Sequence, residues 1–253
     1  MNNPLDLTGR TVLVTGASSG IGRATAVLLS QLGATVVLNG RDEAHLASTL
    51  AELLPGNHLI APYALDQLEG VPSWMLGLVN RVGRLHGVVH CAGILETVPL
   101  RFMTVQQAEN IMRVNWLAAL ELAKGFRQKR VYAGSEGRIV LISSVLANAG
   151  RPGMSAYASS KGAIQALARS LAVELAPEGI TVNAVAPGLV HTEMKVGLGR
   201  QLTEAQIQKF ADQHPLGAGS PQDVAYAVAY LLAVTGRWVT GTVLTVDGGF
   251  LAL

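Results

Sequence analysis

Short runs of Val, Ile and Leu alternate with longer segments of helical spacing from one end of the chain to the other, which restricts the architecture more than any other feature of the sequence. Strand-like runs are expected at 11–15, 35–39, 58–65, 87–91, 138–143, 181–185 and 243–246. They show little polar alternation, as do parallel strands covered on both faces. Helical segments are expected at 21–32, 43–53, 72–82, 105–127, 156–175 and 222–232. In the first of these, Ile21, Ala24, Leu28 and Leu32 recur at steps of three and four and bury one stripe. This order predicts an α/β fold, a doubly wound seven-stranded parallel sheet flanked by helices. No repeat, low-complexity tract or Pro/Ser-rich linker divides the 253 residues, so residues 1–253 read as a single domain. The stretch 190–215 is polar, Gly-interrupted and poorly periodic, and predicts a mobile excursion over the sheet edge.

Composition removes several classes of function. Charged residues make up 14% of the chain and hydrophobic ones 49%, which excludes extended disorder. The net charge is +2, and no Lys/Arg run is longer than the short stretch 127–130, so no nucleic-acid footprint is expected. The lone Cys91 excludes an internal disulfide framework and a Cys-rich zinc site, and fits a reducing compartment. The histidines at 45, 58, 86, 191 and 214 show no metal-ligand spacing, and His90 beside Cys91 reads as a structural pair, so no metal is expected. Neither a signal peptide nor a membrane-spanning run is evident; the expected location is cytoplasmic, away from membranes.

The sequence Thr15-Gly16-Ala17-Ser18-Ser19-Gly20-Ile21-Gly22 follows the first strand and opens the first helix. Three glycines at this place permit a tight turn, close approach of the backbone to a pyrophosphate, and close packing of helix on strand. The free N–H groups at the helix start face the anion. The spacing is G-x-x-x-G-x-G rather than G-x-G-x-x-G. At the end of the second strand, where an acid would bind the adenosine ribose of NAD, stands Gly40, followed by Arg41. The missing carboxylate and a guanidinium suited to a phosphate point to NADP(H) rather than NAD(H), the alternative being that Arg41 is a solvated loop charge. Asp42 reads as the cap of the next helix.

Tyr157 and Lys161 are four apart on a predicted helix, hence on one face. A lysine ammonium near a phenol favours the phenolate and is expected to lower the tyrosine's pKa from its ordinary value toward neutrality. Ser144 ends a strand at the carboxyl edge of the sheet, where ligands of such sheets bind, and its hydroxyl can donate to a substrate oxygen. A turn or cap hydroxyl is the alternative.

With these motifs in order, the chain from Leu7 to Phe250 resembles the short-chain dehydrogenase/reductases, whose fold is Rossmann-type. The resemblance rests on TGASSGIG, Cys91-Ala92-Gly93, Asn115, Ser144, Tyr157 with Lys161, and Pro187-Gly188. It implies that Tyr157 is the general acid in carbonyl reduction and the base in alcohol oxidation, and that Ser144 holds the carbonyl. It further implies that Lys161 binds the nicotinamide ribose and that Asn115 organises a proton relay. Cofactor contacts are implied at Gly16, Ser18, Ser19, Gly20, Ile21, Gly22, Arg41, Asp66, Ala92, Gly93, Pro187, Gly188, Val190 and Thr192, besides Tyr157 and Lys161. The family's usual Asn-Ala-Gly is here Cys91-Ala92-Gly93, and the loss of that asparagine bears on local rigidity.

The chain is similar to the 3-oxoacyl-carrier-protein reductases, which place basic residues beside the site to attract an acidic carrier. Ser135 and Glu178 stand at two such places, and Arg127, Lys129 and Arg130 compensate only in part. A free small carbonyl substrate is therefore preferred over an acyl-carrier protein. Its pocket walls are expected to be the apolar Leu95, Leu146, Met154, Met194 and Leu198. A non-catalytic NADP(H)-sensing protein is the alternative from another class. The resemblance also implies a homotetramer built through the long helices and the C-terminal strand.

Overall fold

The structure is a computed structural model describing residues 3–134, 136–192 and 203–253. Seven strands form one parallel sheet: β1 Thr11–Thr15, β2 Thr35–Asn39, β3 Leu59–Ile60, β4 Gly87–His90, β5 Gly137–Ile142, β6 Ile180–Pro187 and β7 Val243–Val246. Their order is β3-β2-β1-β4-β5-β6-β7. The chain winds outward from β1 to β3, then returns to lay β4 on the other side of β1. This reversal opens a crevice at the carboxyl ends of β1 and β4, the place where sheets of this kind hold ligands. The doubly wound seven-stranded sheet read from the sequence is the one observed.

Side-chain alternation divides the buried strand residues between two cores. Leu13, Val37, Val88, Ile139 and Leu141 face one layer, built from α3 (Val71–Val82), α5 (Ala118–Phe126) and α6 (Ser155–Leu175). Val12, Val14, Val36, Leu38, Val89 and Val140 face the other, built from α1 (Gly20–Gln31), α2 (Glu43–Glu52) and α8 (Pro221–Leu232). Each fully buried Val, Leu or Phe contributes about 1.5–3 kcal/mol relative to exposure. That explains why these strands are apolar on both faces. Asp42 caps α2 by accepting a hydrogen bond from His45 N at 3.0 Å, the role read for it above. No helix among the described residues is long and apolar enough to cross a membrane.

Three segments differ from expectation. The third strand spans only Leu59–Ile60 rather than 58–65, because it is the sheet edge and Pro62 offers no N–H for further pairing. The helix expected over 105–127 is two helices, α4 (Val105–Met112) and α5, joined by a wider π-helical turn at Arg113–Leu117. Within the stretch 190–215, helix α7 (Glu204–Ala211) is formed where irregular chain was expected.

Candidate active site

The glycine loop lies in the crevice between β1 and β4, and its glycines are required by space. Gly16 has φ +63°, and a Cβ there would stand 2.8 Å from Ala92 N. A Cβ on Gly22 would stand 2.1 Å from the carbonyl oxygen of Gly16, well inside contact distance. Ser19 precedes α1 with no capping bond from its side chain, and no acid occupies the helix's first turn. The positive end of the helix dipole therefore faces the cleft without a neutralising carboxylate, which suits an anion. Gly16, Ser18, Ser19, Gly20, Ile21, Gly22, Arg41, Asp66, Ala92, Gly93 and Thr192 all line this cleft. Asn39, unremarked in the sequence, lines it too: its Nδ2 is held by the carbonyls of Ala61 and Tyr63, while its buried Oδ1 has no partner. That orphaned acceptor and the cradle left by the glycines fit a dinucleotide. Arg41 is exposed at the cleft and makes no ion pair among the described residues.

A second pocket adjoins the first and shares Ile21, Cys91 and Thr192 with it. Ser144 and Tyr157 line this pocket together with Pro187, Gly188 and Val190, so these last three stand on its side of the junction. Leu95, Leu146 and Met154 form apolar walls around Tyr157, as expected from the sequence; Met194 and Leu198 lie outside the described residues. Arg151 and Phe210 also line the pocket and were not read from the sequence. A loop arginine reads as a solvated charge, and Phe210 belongs to the helix that periodicity missed.

Behind the pocket, Lys161 Nζ donates to the Ile142 carbonyl at 2.8 Å and stands 5.8 Å from the centre of the Tyr157 ring. A Cβ on Gly93 would be 3.1 Å from Asn115 Oδ1 and 3.4 Å from Lys161 Nζ, so this glycine leaves room beside both. Asn115 sits in the π-helical turn, fully buried. Its Nδ2 donates to Ile94 O (3.0 Å) and Ser160 Oγ (2.9 Å), and its Oδ1 accepts from Ile94 N (2.8 Å).

The electrostatics correct one expectation. Burial pushes the Tyr157 phenol up to about 12, with the Ser144 hydroxyl pulling the other way, and burial brings the Lys161 ammonium down to about 8. Desolvation outweighs the Ser144 hydrogen bond on the tyrosine, and a low-dielectric surrounding disfavours the charged forms of both groups.

His90 takes up the bracing that the missing asparagine leaves open. Thr15 Oγ1 accepts from Ala92 N (3.2 Å) and lies 2.9 Å from His90 Nδ1, while His90 Nε2 lies 3.3 Å from the Asn115 carbonyl oxygen. The Thr15 hydroxyl therefore donates to Nδ1, and the ring proton sits on Nε2 and points at Asn115. Burial first, and the Lys161 charge second, hold His90 at about 3, so it stays neutral. Burial pushes the Cys91 thiol up to about 12, which leaves it unreactive. Among the described residues no three His, Cys, Asp or Glu side chains gather as a metal site.

A glycine-loop cleft opening onto a Ser–Tyr pocket backed by lysine and asparagine defines a dinucleotide-dependent oxidoreductase. A family model described as Enoyl-(Acyl carrier protein) reductase matches residues 16–251. The chain belongs to the short-chain dehydrogenase/reductase family and acts on CH–OH and C=O groups, with NAD(P) the cofactor typical of that family. It is 40% identical to the 3-oxoacyl-[acyl-carrier-protein] reductase FabG of Rickettsia prowazekii (strain Madrid E), over 98% of this chain and 99% of that one. Among solved structures it is similar to a dehydrogenase/reductase from Sinorhizobium meliloti 1021 (TM-score 0.90, 33% identity, 98% of this chain and 97% of the other). It is also similar to a putative NAD(P) dependent gluconate 5-dehydrogenase from Beutenbergia cavernae with bound NADP at low occupancy (TM-score 0.90, 33% identity, 99% and 100% covered).

Proposed function

We propose that this protein reduces a small, free carbonyl compound to an alcohol, or runs the reverse, using NADP(H) in preference to NAD(H), with Tyr157 as general acid and base. The observation that carries this reading is the junction at Ile21, Cys91 and Thr192, where the glycine-loop cleft meets the pocket lined by Ser144 and Tyr157. The nicotinamide cofactor, when bound, supplies or accepts the hydride. Gly16, Ser18, Ser19, Gly20, Ile21 and Gly22 hold its pyrophosphate side, Arg41 the adenosine phosphate, and Asp66 the adenine. Ala92, Gly93, Pro187, Gly188, Val190 and Thr192 hold the remainder, with Lys161 on the ribose hydroxyls. Tyr157 gives its proton to the carbonyl oxygen, and Ser144 donates a hydrogen bond to the same oxygen as negative charge develops there. Below about pH 8 Lys161 is an ammonium, which stabilises the phenolate left behind. Asn115, braced by His90, keeps the back of the site in register for proton relay.

A carrier-linked 3-oxoacyl substrate is the second reading, favoured by the Rickettsia relative. Against it, Glu178 occupies one expected docking position, and Arg127 donates to that glutamate at 2.6 Å rather than facing a carrier. The other position, Ser135, lies outside the described residues. A homo-oligomer, a tetramer by family resemblance, is supported by the exposed Val105, Val173 and Trp238. A cytoplasmic location is supported by the lone cysteine being free, which fits a reducing compartment.

The test pairs turnover with cofactor choice. NADPH oxidation is followed over ketones, β-keto esters and oxo acids, and thermal shifts are compared for NADPH and NADH. Turnover with at least one panel member is expected, with the larger stabilisation from NADPH. Arg41→Ala weakens NADPH about 10- to 100-fold and leaves NADH nearly unaffected, the scale of a charge-assisted pair. Equal stabilisation by both cofactors, unchanged in Arg41→Ala, contradicts the preference. NADPH binding without turnover of any panel member supports a sensor instead.

A further inference from the structure

We propose that Arg151 forms an anion subsite in the substrate pocket and that the natural substrate is a small oxo acid, or the matching hydroxy acid, whose carboxylate it binds. This deepens the reductase reading above and rests on it. Arg151 lies in the connection between β5 and α6, seven residues after Ser144 and six before Tyr157, and it is the one charged side chain among the described residues lining that pocket. Its guanidinium packs on the Phe210 ring at 3.8 Å from the centroid. Phe210 in turn meets His214 and Phe250 edge-on, at 5.1 and 5.5 Å. One side of the guanidinium is thus covered by a ring that an aromatic cluster holds in place.

What remains is the edge. Among the described residues no acceptor takes a hydrogen bond from any of its five N–H donors, and no carboxylate pairs with it. Arg10 and Arg127 differ in this respect: Arg10 reaches Glu136, and Arg127 reaches Glu178. Burial alone holds Arg151 below its ordinary value, with no neighbouring acid offsetting it. A partly desolvated cation with unused, coplanar donors matches a carboxylate presented edge-on in a bidentate pair.

The position separates this anion from the cofactor. Arg151 lines the pocket of Ser144 and Tyr157 and does not line the glycine-loop cleft, so the charge it meets belongs to the substrate. Leu95, Leu146 and Met154 line the same pocket as Arg151 and the Ser144 and Tyr157 hydroxyls, which suits a carbon skeleton joining carbonyl and carboxylate. The neutral, apolar substrate suggested by those walls alone leaves the guanidinium without a role.

The experiment measures kcat/KM with NADPH for matched pairs: acetoacetate against methyl acetoacetate, and 4-oxopentanoate against its methyl ester. The native protein is expected to favour the acid of at least one pair by 10-fold or more. In Arg151→Gln that acid-to-ester ratio falls about 10- to 100-fold, and Arg151→Lys restores part of it, since an ammonium keeps the charge without the fork. NADPH-induced thermal stabilisation of each variant separates lost recognition from lost folding. Acid and ester used equally by the native protein, or a ratio unmoved by Arg151→Gln, overturns the subsite. Reduction of neutral ketones alone overturns the subsite and leaves the reductase reading standing, whereas no turnover of any carbonyl compound removes both.

Discussion

Replacing Tyr157 with phenylalanine is expected to lower carbonyl reduction by about 10²- to 10⁴-fold, the usual contribution of a positioned general acid, while NADPH still raises the melting temperature. The ring and its packing against Leu146 and Met154 remain, so the change removes one hydroxyl from the pocket and little else. The phenol's high pKa, about 12 through burial, keeps the proton in place at every working pH, which suits the reductive direction. The pH dependence of reduction in the native protein therefore belongs to Lys161. As pH rises through about 8 that ammonium loses its proton and with it the stabilisation of the phenolate, so kcat/KM for reduction falls above this point. The variant's residual rate, read by absorbance of NADPH, should lose this inflection. A variant that reduces its substrate at the native rate assigns the proton to another group.

The second large effect is at the glycine loop. Gly22→Ala brings a methyl group to 2.1 Å from the Gly16 carbonyl oxygen, a backbone atom with no freedom to rotate aside. The start of α1 must then move away from the turn that positions its N–H groups, and those groups form the anion site. Overpacking of this kind costs about 1–3 kcal/mol, a fall of about 2–12 °C in Tm for a chain of this size. More telling is the expected loss of any further Tm rise on adding NADPH. Gly77→Ala is the control: it lies within α3, and a Cβ there meets nothing within 4 Å. Removing a mid-helix glycine is expected to leave stability unchanged or raise it by about 0.5–1 kcal/mol, with the NADPH response intact. A Gly22→Ala protein that binds NADPH as tightly as native contradicts the placement of the pyrophosphate.

Most of the sheet was legible because parallel strands with two covered faces must be largely apolar, and β1, β2, β4, β5 and β6 are such runs; β7, half-exposed at the sheet edge, was legible from Val243, Leu244 and Val246. The edge strand β3 was over-read because Pro62 and a single pairing partner end it early, and neither effect alters the apolar content of 58–65. The π-helical turn at Arg113–Leu117 was hidden because apolar spacing continues across it from α4 into α5, although the insertion is what brings the Asn115 carbonyl to His90. Tyr157 and Lys161 were readable as neighbours from their spacing, yet spacing carries no information about depth. The structure buries both, and burial reverses the expected direction for the tyrosine. Arg151 was illegible for a related reason: its meaning lies in Phe210 on its face and in the acceptors it lacks, neither of which is adjacent in sequence.

In the proposed reaction Tyr157 delivers its proton at the end of a cleft that holds the dinucleotide. A crystal structure of the NADPH complex tests it most directly. The pyrophosphate is expected against the Gly16–Gly22 loop at the start of α1, and the nicotinamide ring at the Ile21–Cys91–Thr192 junction facing the hydroxyls of Ser144 and Tyr157. A nicotinamide ring remote from Tyr157, or a phenol turned out of the pocket once NADPH is bound, contradicts it.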